Sequence, residues 1–357
     1  MTENNYAIDV DLSNHNTISA NKIQNNGVGL SFDSCNNNII SENDIQNSYN
    51  GIHLTSSSNN NLDSNVIIDC DFCGIYLLYS TDNILRNNEM VNCGLLVYGS
   101  TISEYINNVD TSNKINGRII YYYMNQNNID VPDDAGEIIL VNCIYCNATN
   151  LDLSNGTIGV ELAYSSYIII SKNTLINNNF AGIYVESSSK NTIERNIIED
   201  NSYGIDLQLA DNNKIKNNNI RRNSYGCYIY LSNLNTLFGN KILYNSYGIV
   251  LNFPSDNNSI YQNNLIDNGY NAWDENDNSN TWHFGKKGNY WGNYKKLYPN
   301  AKKILLKGIW NTPYEIPNKE NIDGYPLLRP VILSIEKTGN LILARFLEKI
   351  LNLLNVI

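Results

Sequence analysis

The chain has 357 residues, with 24 Lys and Arg against 35 Asp and Glu, which sets the net charge at −11. An acidic chain lacks the basic face that phosphate neutralisation requires, so a nucleic-acid partner is excluded. Hydrophobic residues make up 42% of the chain, enough for a core, and 68 asparagines with 46 isoleucines favour strands and corners over helices.

From the N-terminus, Met1 to Tyr6 shows neither a basic region nor an apolar run, so no secretory leader is expected there. No run of about 18 uncharged apolar residues occurs, so no membrane span is expected. Seven cysteines do not make a disulfide scaffold, and their odd number leaves at least one free thiol.

A repeat organises the chain from its first residues. Tyr203-Gly-Ile-Asp-Leu, Tyr225-Gly-Cys-Tyr-Ile and Tyr247-Gly-Ile-Val-Leu belong to one series, whose small position falls at Ala7, Gly29, Gly51, Gly74, Gly94, Gly136, Gly159, Gly182, Gly204, Gly226, Gly248 and Asn271. The steps are 20 to 23 residues, apart from one of 42, which is the signature of a solenoid. One and three residues after the small position sit apolar side chains such as Ile52 and Leu54, with mixed residues between them. That is the period-two pattern of a strand with one buried face. Asparagines form two further columns, one through Asn38, Asn60, Asn83, Asn191, Asn213 and Asn235, the other through Asn43, Asn65, Asn88, Asn196, Asn218 and Asn240. They are expected to hold the left-handed corners and to bond one another in ladders.

These features predict an all-β, single-stranded parallel β-helix of about eleven rungs, right-handed by the general crossover preference. The solenoid is expected over residues 1–281, with an insertion at about 99–135 that reads as one rung plus a hairpin or as two degenerate rungs. An aromatic, Gly- and Pro-rich C-terminal cap is expected over 282–330. Residues 331–357 carry an amphipathic helical stripe, with self-association through that helix as one use for it.

The repeat N-x-I-x-x-N-x-I-x-x-N-x-Y-G-I-x-L, the segment Val131-Pro-Asp-Asp-Ala-Gly136, and the blocks Gly288-Asn-Tyr-Trp291 and Asp323-Gly-Tyr-Pro-Leu327 together resemble NosD-type β-helix proteins. These fall within the group called carbohydrate-binding proteins and sugar hydrolases, and the likeness to archaeal surface members covers about residues 5–330. The resemblance implies a right-handed parallel β-helix, a location at the cell surface or in the periplasm, a binding role, and copper delivery. The absent leader keeps a cytoplasmic protein, or one shortened at its N-terminus, as alternatives. Against copper stand three scattered histidines, His15, His53 and His283, and three scattered methionines, so no metal and no cofactor is expected. Cys73 and Cys93 lie on neighbouring rungs, with Cys70 nearby, and read first as small apolar fillers.

The candidate site lies on the outward positions of the strand after glycine. Glu161, Glu186 and Asp206 are the candidate catalytic carboxylates; Tyr184, Gln208, Tyr228 and Tyr230 are the candidate substrate-binding residues. Strand spacing puts Glu186 and Asp206 about 8 Å apart, and Glu161 and Asp206 about 10 Å apart. Inverting glycosidases separate their carboxylates by roughly 6.5–9.5 Å. Tyrosine rings beside them can stack on sugars. The expected function is therefore an exported, non-catalytic glycan-binding β-helix with a polysaccharide partner. The alternatives are a polysaccharide hydrolase, lyase or epimerase, a structural stalk, and a copper-handling protein.

Overall fold

The computed structural model describes residues 4–277, 279–318 and 320–332. The helical tail expected over 331–357, and the self-association assigned to it, therefore lie almost wholly outside the described residues.

The fold is a parallel β-helix with three short strands per turn. In the first five turns the strands after the small residue, Tyr6–Asp11, Val28–Asp33, Asn50–Thr55, Cys73–Leu78 and Leu95–Tyr98, form one parallel sheet. The second strands form another sheet. The third strands, Lys22–Gln24, Asp44–Gln46, Val66–Ile68, Glu89–Val91 and Lys114–Ile115, begin a sheet that continues to thirteen strands among the described residues. Ile23, Ile45, Ile67, Met90 and Ile115 from these strands fill the interior together with Leu30, Ile52 and Leu77.

At residue 115 the path changes. Asn116 and Gly117 both take positive φ, 52° and 75°, and turn Lys114–Ile115 back into Arg118–Met124 as an antiparallel pair. Asn-Gly is the preferred two-residue hairpin turn because both positions tolerate positive φ. Arg118–Met124 then pairs in parallel with Ala135–Val141, and Ile158–Ala163, Ala181–Glu186, Tyr203–Gln208, Tyr225–Tyr230, Tyr247–Asn252 and Tyr270–Asp274 follow in the same sheet. The step of 42 thus holds one extra strand, and among the described residues the helix has thirteen turns in two stacks of five and eight.

Reversal of strand direction within one sheet also exchanges its buried face. Ile138, Leu140, Val160 and Leu162 enter the core of the second stack. Their neighbours Ile139, Val141 and Ala163 point the other way and join the core of the first. Ala135–Val141, Ile158–Ala163 and Ala181–Glu186 are consequently buried on both faces along their whole length.

Two expectations of register are corrected. Ile138 pairs with Val160, so Glu137 and not Gly136 stands opposite Gly159, after a bulge between Ile119 and Ile120. The column asparagines do not take the left-handed corners. The residue before each does so whatever its type, as at His15, Asn37, Asp82, Lys190 and Leu234. The column residues turn inward instead: Asn218 Nδ2 donates to Asn240 Oδ1 at 3.0 Å and to the Ile193 carbonyl at 2.9 Å, and its N–H bonds Asn240 Oδ1 at 3.0 Å. Each such amide thus satisfies corner groups of the preceding turn and bonds the amide of the next.

The far end of the second stack is closed by aromatic residues. Trp282, Trp291, Tyr294, Trp310, Tyr314 and Ile316 extend its core. Asp323 organises them, accepting from Trp291 Nε1 at 2.8 Å and from the N–H groups of Asn289 and Tyr325 at 2.7 and 2.9 Å.

Candidate functional site

On the outer face of the thirteen-stranded sheet, three ladders run along the second stack. One reads Ile139, Glu161, Tyr184, Asp206, Tyr228, Val250, Trp273. The next reads Val141, Ala163, Glu186, Gln208, Tyr230, Asn252. The third reads Ile158, Ala181, Tyr203, Tyr225, Tyr247, Tyr270. The sequence candidates do share this face, since alternation directs them all outward.

Outward is not exposed here. Glu161, Tyr184 and Asp206 retain 0%, 1% and 1% of their accessible surface and Glu186 retains 4%, because the first stack folds back over these turns. The seam is closed by specific bonds. The Gly94 N–H donates to Thr157 Oγ1 at 2.8 Å, and Thr157 Oγ1 donates to the Phe72 carbonyl at 3.1 Å. The Asn179 amide donates to the Cys70 carbonyl at 2.8 Å, and the Phe72 and Phe180 rings meet edge to face at 5.8 Å. Leu96, Ile158, Ala181 and Tyr184 pack between the stacks.

Burial dominates the electrostatics of the seam. It drives the Glu137 and Glu161 carboxyls well above the usual carboxylate range, and Oε1 of Glu137 has no hydrogen-bond partner. Burial also pushes Asp206 up to about 7 while Gln208 Nε2 donates to its Oδ2 at 3.1 Å, and its Oδ1 is unpartnered. Glu186 is raised by burial as well, although Tyr184 and Ser187 hydroxyls donate to its two oxygens at 2.8 and 3.0 Å. Glu186 and Asp206 are diagonal neighbours on adjacent strands, at the border where the covered turns end.

Beyond that border the face opens. Gln208, Tyr228, Tyr230 and Trp273 are half-buried and Tyr270 is exposed. Tyr203, Tyr225, Tyr247 and Tyr270 stack ring on ring at 5.0, 5.2 and 5.1 Å. Tyr228 stands edge-on to Tyr203 and Tyr225, and Trp273 to Tyr270. Asn252 Nδ2 fixes the Tyr228 hydroxyl at 2.7 Å. From the first stack Tyr98 stands over the border; burial, followed by the Glu186 carboxyl, raises its phenol above the ordinary range. Of the sequence candidates, Gln208, Tyr228 and Tyr230 therefore lie on an accessible aromatic surface, Glu186 and Asp206 at its edge, and Glu161 and Tyr184 beneath the first stack. Reasoning from alternation missed Trp273, the tyrosine column and Tyr98; the recurrent Tyr before Gly was the available signal for the column.

A two-stack parallel β-helix with one aromatic outer face is thus the class of protein that fold and surface define. The sequence matches the family model described as periplasmic copper-binding protein (NosD) over residues 1–129 and again over 111–296, two matches that meet at the strand reversal, and the chain belongs to this family. No functionally curated protein matches it. Similar solved structures include the periplasmic alginate epimerase AlgG, at 18% identity and TM-score 0.35, with 70% of this chain and 66% of that one covered. They also include the tailspike protein of E. coli bacteriophage HK620 in complex with a pentasaccharide, at 13% identity and TM-score 0.36, with 78% and 52% covered. The A-module of Azotobacter vinelandii mannuronan C-5 epimerase AlgE4 overlaps at 13% identity and TM-score 0.31, with 74% and 79% covered. The chain spans just under two thirds of AlgG. At this level of similarity no substrate transfers.

The copper of the family description does not fit the donors present. Among the described residues no three His, Cys, Asp or Glu side chains converge as ligands would. His53 stacks on Tyr76 at 4.8 Å, and His283 lies against Tyr325. All seven cysteines are buried free thiols. The Cys93 thiol pairs with Cys70, while Cys73 turns away to the carbonyls of Ile75 and Gly94. Their shared hydrogen bond raises the Cys70 thiol above its ordinary range and lowers that of Cys93, and among the described residues no further ligand joins the pair.

Proposed function

We propose that this protein is an extracytoplasmic, non-catalytic glycan-binding β-helix, and that the ligand lies along the open part of the thirteen-stranded sheet. The observation that carries this reading is the row of rings at Tyr225, Tyr228, Tyr230, Tyr247, Tyr270 and Trp273, interleaved with Gln208 and Asn252. Sugars present apolar C–H faces and hydroxyl rims, which such a surface meets with rings and amides. The periplasmic description of the family supports the location. Affinity electrophoresis through gels containing a panel of polysaccharides tests the reading. Retardation by at least one polymer, lost in Tyr228→Ala/Tyr230→Ala and kept in Tyr167→Ala on another face, is the expected result. Equal mobility of the three proteins in every gel overturns it.

The adjacency of Glu186 to an Asp206 poised near 7 favours a second reading, a polysaccharide-active enzyme with these carboxyls as acid and base. Their near-complete burial weighs against it. New reducing ends or unsaturated sugars that vanish in Asp206→Asn would replace the binding-only conclusion.

A further inference from the structure

Charge is strongly segregated in this chain. Lys286, Lys287, Lys295, Lys296, Lys302, Lys303 and Lys307 fall within residues 279–314, which contain no Asp or Glu. Seven of the 24 basic residues thus lie in this segment, leaving 17 against 35 acidic residues outside it.

Two tips project from this basic region. In one, Lys303–Ile304 pairs antiparallel with Ile309–Trp310, and the turn Leu305–Lys307 closes at Gly308 with φ 68°. Leu305 is 76% exposed and Leu306 104%. The base beneath them is firmly packed: Trp310 is buried, stacks on Tyr294 at 5.0 Å, and donates its N–H to the Pro326 carbonyl at 2.9 Å. The second tip is the turn Phe284–Lys287, held by reciprocal backbone bonds of 2.9 and 3.2 Å, with Phe284 67% exposed. Lys307 shares a shallow depression of about 630 Å³ with Phe284, Lys286 and Lys287, so the two tips are neighbours. Lys286, Lys287, Lys302 and Lys307 enter no ion pair among the described residues.

We propose that this end of the protein docks on an anionic phospholipid surface, with Leu305, Leu306 and Phe284 entering the boundary between headgroups and acyl chains and the lysines reaching the headgroup phosphates. Apolar side chains held out on a rigid tip and ringed by lysines match the layered chemistry of that boundary. Soluble polyanions offer the charge without the apolar layer, and a protein partner would have no need of so uniform a sign of charge. The acidic body is repelled by the same surface, which orients the solenoid away from it.

The test is co-sedimentation of the full chain with vesicles of pure phosphatidylcholine and with vesicles in which about one third of the lipid is phosphatidylglycerol. Binding is expected to be about tenfold or more stronger on the anionic vesicles and to fall steeply at about 0.5 M NaCl. Leu305→Ser/Leu306→Ser keeps every charge and is expected to lose about tenfold on the same vesicles. Lys286→Gln/Lys287→Gln/Lys307→Gln is expected to bind the two vesicle types alike. All five positions are exposed, so unchanged thermal melting separates lost docking from lost folding. The proposal is overturned by absence of sedimentation with anionic vesicles, by leucine variants that bind as the parent does, or by capture of an acidic polysaccharide where vesicles are ignored.

Discussion

The N–H of Leu95 donates to Oε2 of Glu137 at 3.2 Å across 42 residues of sequence, joining the last turn of the first stack to the second. A side chain added at Gly94 would place its Cβ 2.1 Å from that same oxygen. Gly94→Ala is therefore expected to cost about 1–3 kcal/mol by forcing the stacks apart. Denaturant unfolding measures this, and an unchanged midpoint would show that the seam yields freely.

The buried carboxyls give the seam a pH dependence of definite sign. Because the folded state holds their protons more tightly than the unfolded chain, their contribution is complete below the unfolded values and is lost as pH rises through the folded ones. For Asp206 that window runs from 3.8 to about 7, with up to about 4 kcal/mol at stake. Melting temperature should fall across this range in the parent protein. In Asp206→Asn the fall should be shallower, and parallel curves would remove Asp206 from the account.

Within the ladders, Asn196 donates both its N–H and its Nδ2 to Oδ1 of Asn218 at 3.0 Å. Truncation by Asn218→Ala strands those donors, and also the Ile193 carbonyl, away from water. A loss of about 3 kcal/mol is expected, since each buried unsatisfied group costs about 1–3 kcal/mol. Asn217→Ala, one residue earlier at a positive-φ corner, serves as the comparison, and equal losses would show that the ladder adds nothing beyond the corner.

All four tryptophans, Trp273, Trp282, Trp291 and Trp310, lie in the last turn or the cap. Fluorescence therefore reports that end alone. In Asp323→Ala the Trp291 and Asn289 N–H groups lose their acceptor, and the fluorescence transition should move to lower denaturant ahead of the far-ultraviolet β signal. Coincident transitions would mean that the cap and the stacks unfold as one unit.

The turns, their inward side chains and the asparagine ladders were legible in the sequence because they recur at 22 or 23 residues and leave a column. The seam was not. Period two says which way Glu161 points; what lies against it includes the Val97 backbone, more than sixty residues earlier, with no periodic trace. Two local signals did mark the place: Asn116-Gly117, a hairpin turn, and Ile138-Ile139-Leu140-Val141, a strand too uniformly apolar to have a wet face. Tyr228 and Tyr230 point outward by the same alternation, and among the described residues no strand folds over that part of the sheet.

The reversal at Asn116–Gly117 also bears on how such a chain can lengthen. Duplication of a whole turn at the far end of either stack would preserve every bond near residue 94, because each turn contacts only its neighbours there. The same duplication beside the reversal would slide Glu137 and Thr157 past their partners. The molecule is thus free to vary in reach at its two ends and constrained at its bend, so homologues should differ in turn number outward from this point and agree in the turns that flank it.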